Sequence, residues 1–456
     1  VPVLSPYDCG LAAALCAQAG LLKRVFFKSL ALRVRGLKDG GSPVMGCNHT
    51  QESRKAGERT VSQKFSSQTM VGLGALCAAT FTAITTELAP IGLMLEMART
   101  FGVGVGQVGL AVSAYALIVA VIAVLLTRLT AGVDRKKLLL SALSGYVLTN
   151  VIGATAPSFA VLCVGRVIGG ASHALLMSMV SAYAAHLVPE RQTGRAISIV
   201  FGGASLGGVL GVPGAAAIGH FAGWRIALWV AAALAAILTL FIAAYLPRVG
   251  HAAKPASLVI VRAPGAMRAF VQAILANALF FLAQNVLYTY IAPVLMAHGL
   301  SEASVSVDLL VIGACSLSGL WAAGLVVDKS PRMGLLSAGV VMIAGITLLC
   351  GGLVSGLMTV AAAAVWCAGY AGVIPFIMSG AIRTRATSAD IAGAAVNSTS
   401  NIGILLGSAF GGKLLASYGV SVLAPTAIGI TILTLLVVLF SRQAFPAHLH
   451  DHSDGM

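Results

Sequence analysis

The chain has 456 residues, of which 58% are hydrophobic and only 9% are charged, with a formal net charge of +15. Soluble chains carry about a quarter of their residues as charges, and a mean hydropathy of +0.94 excludes a soluble enzyme, a nucleic-acid reader and a disordered regulator. The Lys and Arg residues stand in short clusters between apolar runs of about twenty residues, the length that crosses a bilayer.

Residues 1–69 differ from the rest, with ten of the 29 Lys and Arg against four acids. Gly10–Leu22 is an apolar run too short to span, and its basic stretch follows it, whereas a secretory signal puts the positive charge first. Two readings stand: a basic cytoplasmic tail, or upstream sequence read through from an early start. Val1 opens the chain and Met70 directly precedes the first spanning run, which favours the second. Either way the segment is expected to be disordered or poorly packed.

From Met70 onward twelve apolar segments are predicted, at 71–95, 107–127, 138–156, 159–183, 195–219, 224–246, 268–296, 304–327, 333–354, 357–380, 391–415 and 420–441. Backbone groups in lipid must be satisfied internally, so these are helices. The 52 glycines suit helices packed closely in lipid. The loops after the even-numbered spans up to ten hold fourteen Lys and Arg, and the alternate loops hold three, Arg99, Arg225 and Lys413. Such a bias places both termini in the cytoplasm. The eight cysteines form no CxxC and no Cys/His cluster, so neither a disulfide framework nor a zinc site is expected.

The spans repeat. Ala89-Pro90 in span one answers Ala292-Pro293 in span seven at an offset of 203. Gly203, Gly207 and Gly211 in span five answer Gly403, Gly407 and Gly411 in span eleven at an offset of 200. The loop around Asp134 answers that around Asp328 at an offset of 194. The expected architecture is therefore an all-α polytopic membrane protein with two homologous six-helix halves, 70–246 and 267–441, a linker at 247–266 and a tail at 442–456.

Several motifs resemble the major facilitator superfamily, whose members are built from such repeats. Span four carries Leu162-Cys163-Val164-Gly165-Arg166 followed by Gly169-Gly170, similar to the Arg-x-x-Gln-Gly motif with Gly169 in place of Gln. Span five, ending in Val212-Pro213-Gly214, resembles the exporter motif, and Thr85-Thr86-Glu87-Leu88-Ala89-Pro90 resembles the first helix of sugar-efflux members. Gly223-Trp224-Arg225 opens span six as in many relatives. The loop Gly324 to Arg332 fits the Gly-x-x-x-Asp-[Arg/Lys]-x-x-Arg pattern, while its partner departs from it, with Ala131 where Asp is usual and Asp134 replacing a Gly. The resemblance covers about 70–441 and implies the drug–proton antiporter and arabinose-efflux branch.

Glu87 is the sharpest candidate for chemistry. A carboxylate inside an apolar helix costs several kcal/mol if ionised, so it should bind a proton readily. It lies sixteen residues past Val71, about 24 Å along the helix, and Pro90 frees a carbonyl one turn away. It reads either as a proton carrier or as a structural carboxyl bonded to a neighbouring helix. Arg166 and His173 are seven apart on span four and so share a face with Gly170 and Met177. Arg166 would hold a carboxylate or a substrate group, and His173 would vary its charge or simply be a hydrogen-bonded residue.

Asn277, Phe281, Gln284 and Tyr288 form a polar and aromatic stripe on span seven, and Trp366 with Tyr370 and Asn397 with Asn401 are similar pairs on spans ten and eleven. In lipid such faces look into protein or a water-filled cavity. Amides with aromatic rings suit a neutral polyhydroxy ligand, and interhelical hydrogen bonding alone is the rival reading. The Gly203, Gly207 and Gly211 run with Pro213 is expected to make a tight seam between the halves. Lys136, Asp328 and Arg332 read equally as an ion-paired cytoplasmic latch or as plain topology signal. The terminal His448, His450 and His452 are expected to be a solvated tail rather than a metal site.

Together these readings predict a bacterial inner-membrane secondary transporter that exports a small molecule in exchange for protons. A sugar such as arabinose is the first expectation for the substrate and an amphipathic drug the second, because Glu87 is the only acid deep in a span and Asp308 lies near the outer end of span eight. No Walker loop, cofactor motif or catalytic dyad is present in the sequence. The expected partners are substrate, protons and lipid, with no cofactor, no metal and no nucleic acid, and the chain is expected to work as a monomer. A non-transporting sensor or scaffold on the same fold is the alternative from another class, with a membrane enzyme third.

Overall fold

Asp134, Ser158 and Ser355 open spans three, four and ten. Each side chain accepts a backbone N–H from the first turn and so satisfies one of the donors a helix start leaves free. The computed structural model describes residues 66–445 except 131–132, 190–191, 247–263, 328–329, 352–354 and 388. Residues 1–65 of the N-terminal basic segment, residues 247–263 of the linker, Asp328 and the histidine tail lie outside the described residues. The twelve spans are helices at Ser67–Gly92, Val105–Leu129, Arg135–Thr155, Phe159–His186, Thr193–Ala222, Trp224–Tyr245, Ala266–Tyr288, Val305–Val326, Pro331–Cys350, Gly356–Arg383, Ala389–Tyr418 and Leu423–Phe440. Short helices Met94–Phe101 and Ile291–Ala297 follow spans one and seven, and no strand occurs among the described residues.

Eleven of these elements are long and apolar enough to cross a membrane by length and composition. The exception is span eleven, whose middle reads Asn397-Ser398-Thr399-Ser400-Asn401. That polar run faces protein: Asn277 of span seven donates to the Val396 carbonyl and to the Thr399 and Ser400 hydroxyls at 2.9–3.0 Å.

Span seven, predicted as one helix over 268–296, is broken between Tyr288 and Ile291. Pro293 has no N–H for the carbonyl of Thr289, and its ring crowds that carbonyl, so the helix ends there. Pro90 sets the same conflict with Thr86 in span one, yet that helix runs on to Gly92. There Arg166 Nη1 donates to the Thr86 carbonyl at 2.7 Å and takes the place of the missing N–H.

The glycine run of span five is a seam, but not between the halves. A Cβ on Gly203, Gly207 or Gly211 would meet Cys77 O at 1.9 Å, Phe81 O at 2.9 Å or Thr85 Oγ1 at 2.9 Å, all on span one of the same half. Gly403, Gly407 and Gly411 sit likewise on span seven, against the carbonyls of Ala278, Leu282 and Val286 at 2.5–2.7 Å. Lipid gives helices no hydrophobic drive to associate, so close backbone approach of this kind is what binds each half together. Pro213 lies inside a continuous helix, and the carbonyl it deprives of a partner, Val209 O, lies against Gly313 of span eight.

The halves meet elsewhere. Ser113 of span two and Ser408 of span eleven are hydrogen-bonded at 2.6 Å, and Tyr290 of the second half donates to Gly106 O of the first at 3.5 Å. Gly106 and Gly412 bring the backbones of the same two spans together. Arg99 joins Glu302 beyond them. All of these contacts lie toward the end opposite the basic loops.

Asp328, the acid of the expected latch, lies outside the described residues, and Arg332 is seen on a helix end. Its guanidinium donates to the Leu439 carbonyl at the end of span twelve. In the first half Lys136 donates to the Ala243 and Leu246 carbonyls at 2.8 and 2.6 Å, at the end of span six. Both cations serve carbonyls that a helix C-terminus leaves unsatisfied, where the helix dipole also favours positive charge. The Lys136–Ala243 and Arg332–Leu439 contacts are related by one offset of 196, so the duplication extends to capping.

Candidate functional site

Glu87 sits in the last turns of span one, 7% exposed, with its side chain against span four. His173 Nδ1 stands 3.7 Å from its Oε2, too far for a hydrogen bond and close enough for an ion pair when the ring is protonated. That nitrogen is buried without another partner. Arg166 binds the backbone of the same turn rather than the carboxylate. Its Nη1 and Nη2 donate to the Thr86 and Glu87 carbonyls at 2.7 Å, and its Nε to Ala111 O of span two at 3.2 Å. The guanidinium lies 4.2 Å from the centroid of the Tyr115 ring, and the edge of His173 meets the same ring at 5.6 Å.

Span three completes the group. Asn150 donates to Thr86 Oγ1 at 3.2 Å, and the Tyr115 and Tyr146 hydroxyls are both buried with no hydrogen bond of ordinary geometry. Glu87 acts electrostatically on both tyrosines. Four helices of the first half thus converge on one carboxylate, which has beside it a fixed cation held on carbonyls and an imidazole 3.7 Å away. Gly169 stands where the resembling motif has Gln, and a Cβ there would lie 2.9 Å from both the Tyr115 ring and Thr149 Oγ1. The volume a Gln would need is filled by the ring on which Arg166 stacks.

In the second half the predicted stripe divides into two kinds of residue. Asn277 spends its donors on span eleven, as above, and Gln284 Oε1 accepts from Trp366 Nε1 at 2.8 Å. Asn401 donates to the Asn397 carbonyl one turn back at 3.0 Å, leaving its Oδ1 buried and unpaired. The rings form two edge-to-face pairs, Phe281 with Tyr370 at 5.5 Å and Tyr288 with Trp366 at 6.1 Å. Phe281, Tyr288, Tyr370 and Asn397 stay partly exposed, while Asn277, Gln284, Trp366 and Asn401 are buried. Tyr370 also lies within electrostatic reach of Glu87, which links the carboxylate of one half to the aromatic face of the other.

Three participants are absent from the sequence reading. Tyr115 and Tyr146 stand in runs with no polar periodicity to mark them. Tyr290, the counterpart of Glu87 at the repeat offset of 203, is fully buried and reaches across to Gly106 O of the first half at 3.5 Å. The aligned Ala-Pro pairs were the signal that would have found it.

Comparison with known proteins agrees with the fold. The family model described as Major Facilitator Superfamily matches residues 71–395. The inner membrane transport protein YdhP of Escherichia coli K12 is 29% identical over 381 residues, covering 82% of this chain and 96% of its own. A chloramphenicol efflux pump of Mycobacterium tuberculosis H37Rv is 28% identical over 396 residues, covering 84% and 95%. Among solved structures, a bacterial homologue of the human lysosomal transporter Spinster, in an inward-facing and occupied conformation, superposes with a TM-score of 0.69 at 16% identity, covering 83% of this chain and 98% of that one.

Proposed function

Because the chain belongs to the Major Facilitator Superfamily, we propose that this multi-pass membrane transporter exports a small uncharged molecule in exchange for protons carried by Glu87. The observation that carries the reading is the position of that carboxylate. It is buried beside His173 in one half and within reach of Tyr370, whose ring packs on Phe281 in the other. A proton arriving at Glu87 removes a charge that faces both halves, so protonation and the packing of the aromatic face are coupled through one side chain. The midplane between the halves is where transporters of this architecture place substrate and coupling ion.

The charge bias of the loops supports cytoplasmic termini, so the end where the halves meet would face outward and the basic end inward. YdhP is named an inner membrane protein, which supports the same membrane for this chain.

For substrate, the geometry favours an amphipathic compound over a sugar. A polyol needs many free donors and acceptors, and the Asn277 amide N–H groups and the Gln284 carbonyl oxygen are spent within the protein. The two ring pairs remain, and they suit a ligand with an apolar or aromatic face. The chloramphenicol pump among the relatives points the same way. Labelled chloramphenicol, with arabinose in parallel, would be followed out of preloaded cells lacking their own exporters. The wild type should export chloramphenicol, and a protonophore or Glu87→Gln should abolish this. Equal loss from wild-type and empty-vector cells would refute the substrate class, and undiminished export by Glu87→Gln would refute the coupling.

A further inference from the structure

The end at which the halves meet carries a set of charges that the Glu87 site does not use. Arg99, on helix Met94–Phe101 of the first half, forks onto the Glu302 carboxylate of the second with bonds of 2.9 and 2.6 Å. Beside that fork Gly92, Glu96, Ala216, His220, Glu302 and Ser306 line a cavity of about 20 Å³, little more than a water molecule occupies. Two carboxylates from opposite halves therefore share one small space. Glu96 lies over Gly219 of span five, where a Cβ would come within 2.9 Å of its Oε2, and that oxygen is buried without a hydrogen bond. The charged groups facing it are Glu302 from span eight's approach, His220 from span five and Arg99 from its own helix, with the Trp224 backbone amide alongside.

Resting on the proton-coupled export proposed above, with the two ends of the molecule opening in turn, we propose that Glu96 is a second proton-linked carboxylate of the transport cycle, taking a proton as the Arg99–Glu302 end closes and releasing it as that end opens. Closure brings Glu96 under cover and sets it against the Glu302 charge, and a proton cancels both penalties. Opening returns it to water and draws Glu302 away. Burial first, and the Glu302 charge second, hold the Glu96 carboxyl above its ordinary value of 4.5 in the closed arrangement, against the opposing pull of His220 and Arg99. The sign follows from linkage: protonation favours the closed end, fully so below about 4.5, and the benefit fades as the pH rises through the elevated value. External acid would then help an exporter reset after releasing its substrate.

The test uses the full chain in lipid nanodiscs, with native cysteines replaced by serine and spin labels on Gln107→Cys and Lys413→Cys. Both positions are exposed and flank the Gly106–Gly412 contact. The distance distribution is measured in a Glu87→Gln background, so that Glu87 contributes nothing to it. The short-distance fraction should rise as the pH falls from about 7.5 to about 5, the range in which a raised carboxyl titrates. Adding Glu96→Gln should leave that fraction high and flat, and adding Glu302→Gln should lower it at every pH. A pH response that survives Glu96→Gln, or a Glu87→Gln chain with no pH response, overturns the assignment. Export by Glu87→Gln is a separate readout, so the two readings fail independently.

Discussion

Arg166 performs for span one the service that Pro90 withdraws, and the dependence can be measured. Arg166→Lys leaves a single ammonium where a fork reaches Thr86 O and Glu87 O at 2.7 Å and Ala111 O at 3.2 Å. The single ammonium cannot span all three carbonyls as the fork does, so at least one buried carbonyl is left bare. An unsatisfied buried carbonyl costs about 1–3 kcal/mol and a lost charge-assisted bond about as much, so the substitution should destabilise by roughly 2–4 kcal/mol. Glu87 O has its own helical N–H to fall back on, from Ile91, whereas Thr86 O has none, because residue 90 is proline. Pro90→Ala restores that N–H and should return about 1–2 kcal/mol in the Arg166→Lys chain, while changing the wild type by less. Unfolding free energies of the four chains in mixed micelles complete the double-mutant cycle. A coupling energy indistinguishable from zero would refute the view that Arg166 stands in for the missing backbone donor.

The glycine seams make a paired prediction. Gly207→Ala drives a Cβ to 2.9 Å from the Phe81 carbonyl, whereas a Cβ on Gly208 meets nothing within 4 Å. The first should destabilise by about 1–3 kcal/mol through overpacking, and the second should be neutral or gain up to about 1 kcal/mol in helix propensity; thermal melting of the purified variants separates them. Reversing the ion pair tests the latch. Arg99→Glu and Glu302→Arg should each lower the closed population by setting like charges together, and the double exchange should restore it, although an exposed pair is worth only about 0–1 kcal/mol. Spin-label distances across the same end report the outcome, and a double exchange no better than either single change would remove the pair from the gate.

The helices and their duplication were legible because spanning lipid demands long apolar runs, which no other requirement imitates. The polar stripe on span seven was legible too, since Asn277 and Gln284 cannot face lipid without cost. Their partners were not. That Asn277 is spent on Thr399 and Ser400, and Gln284 on Trp366, depends on how spans seven, ten and eleven are rotated, and helical spacing within one span is silent about rotation relative to another. The glycines of span five announce close approach without naming the neighbour, and the neighbour is span one. Lys136 and Arg332 stand in a motif of charges, and the helix-end carbonyls they serve belong to other spans, which the sequence does not mark. Tyr115 and Tyr146 escape notice for the opposite reason: a tyrosine in an apolar run is as good a packing residue as it is a hydroxyl.

Arg99 and Glu302 are separated by 203 residues, the same interval that relates Pro90 to Pro293. They are one position seen twice. In a pair of identical subunits about a two-fold axis, a residue beside the axis faces its own copy, so any charge placed there meets its like. Joining the two copies in one chain lifts that constraint, because each can then mutate alone. A guanidinium in one copy and a carboxylate in the other turn a self-contact that identical subunits must keep neutral into an attraction. Such an attraction weakens with ionic strength, so the closed end of this molecule should be held less firmly in brine than in fresh water.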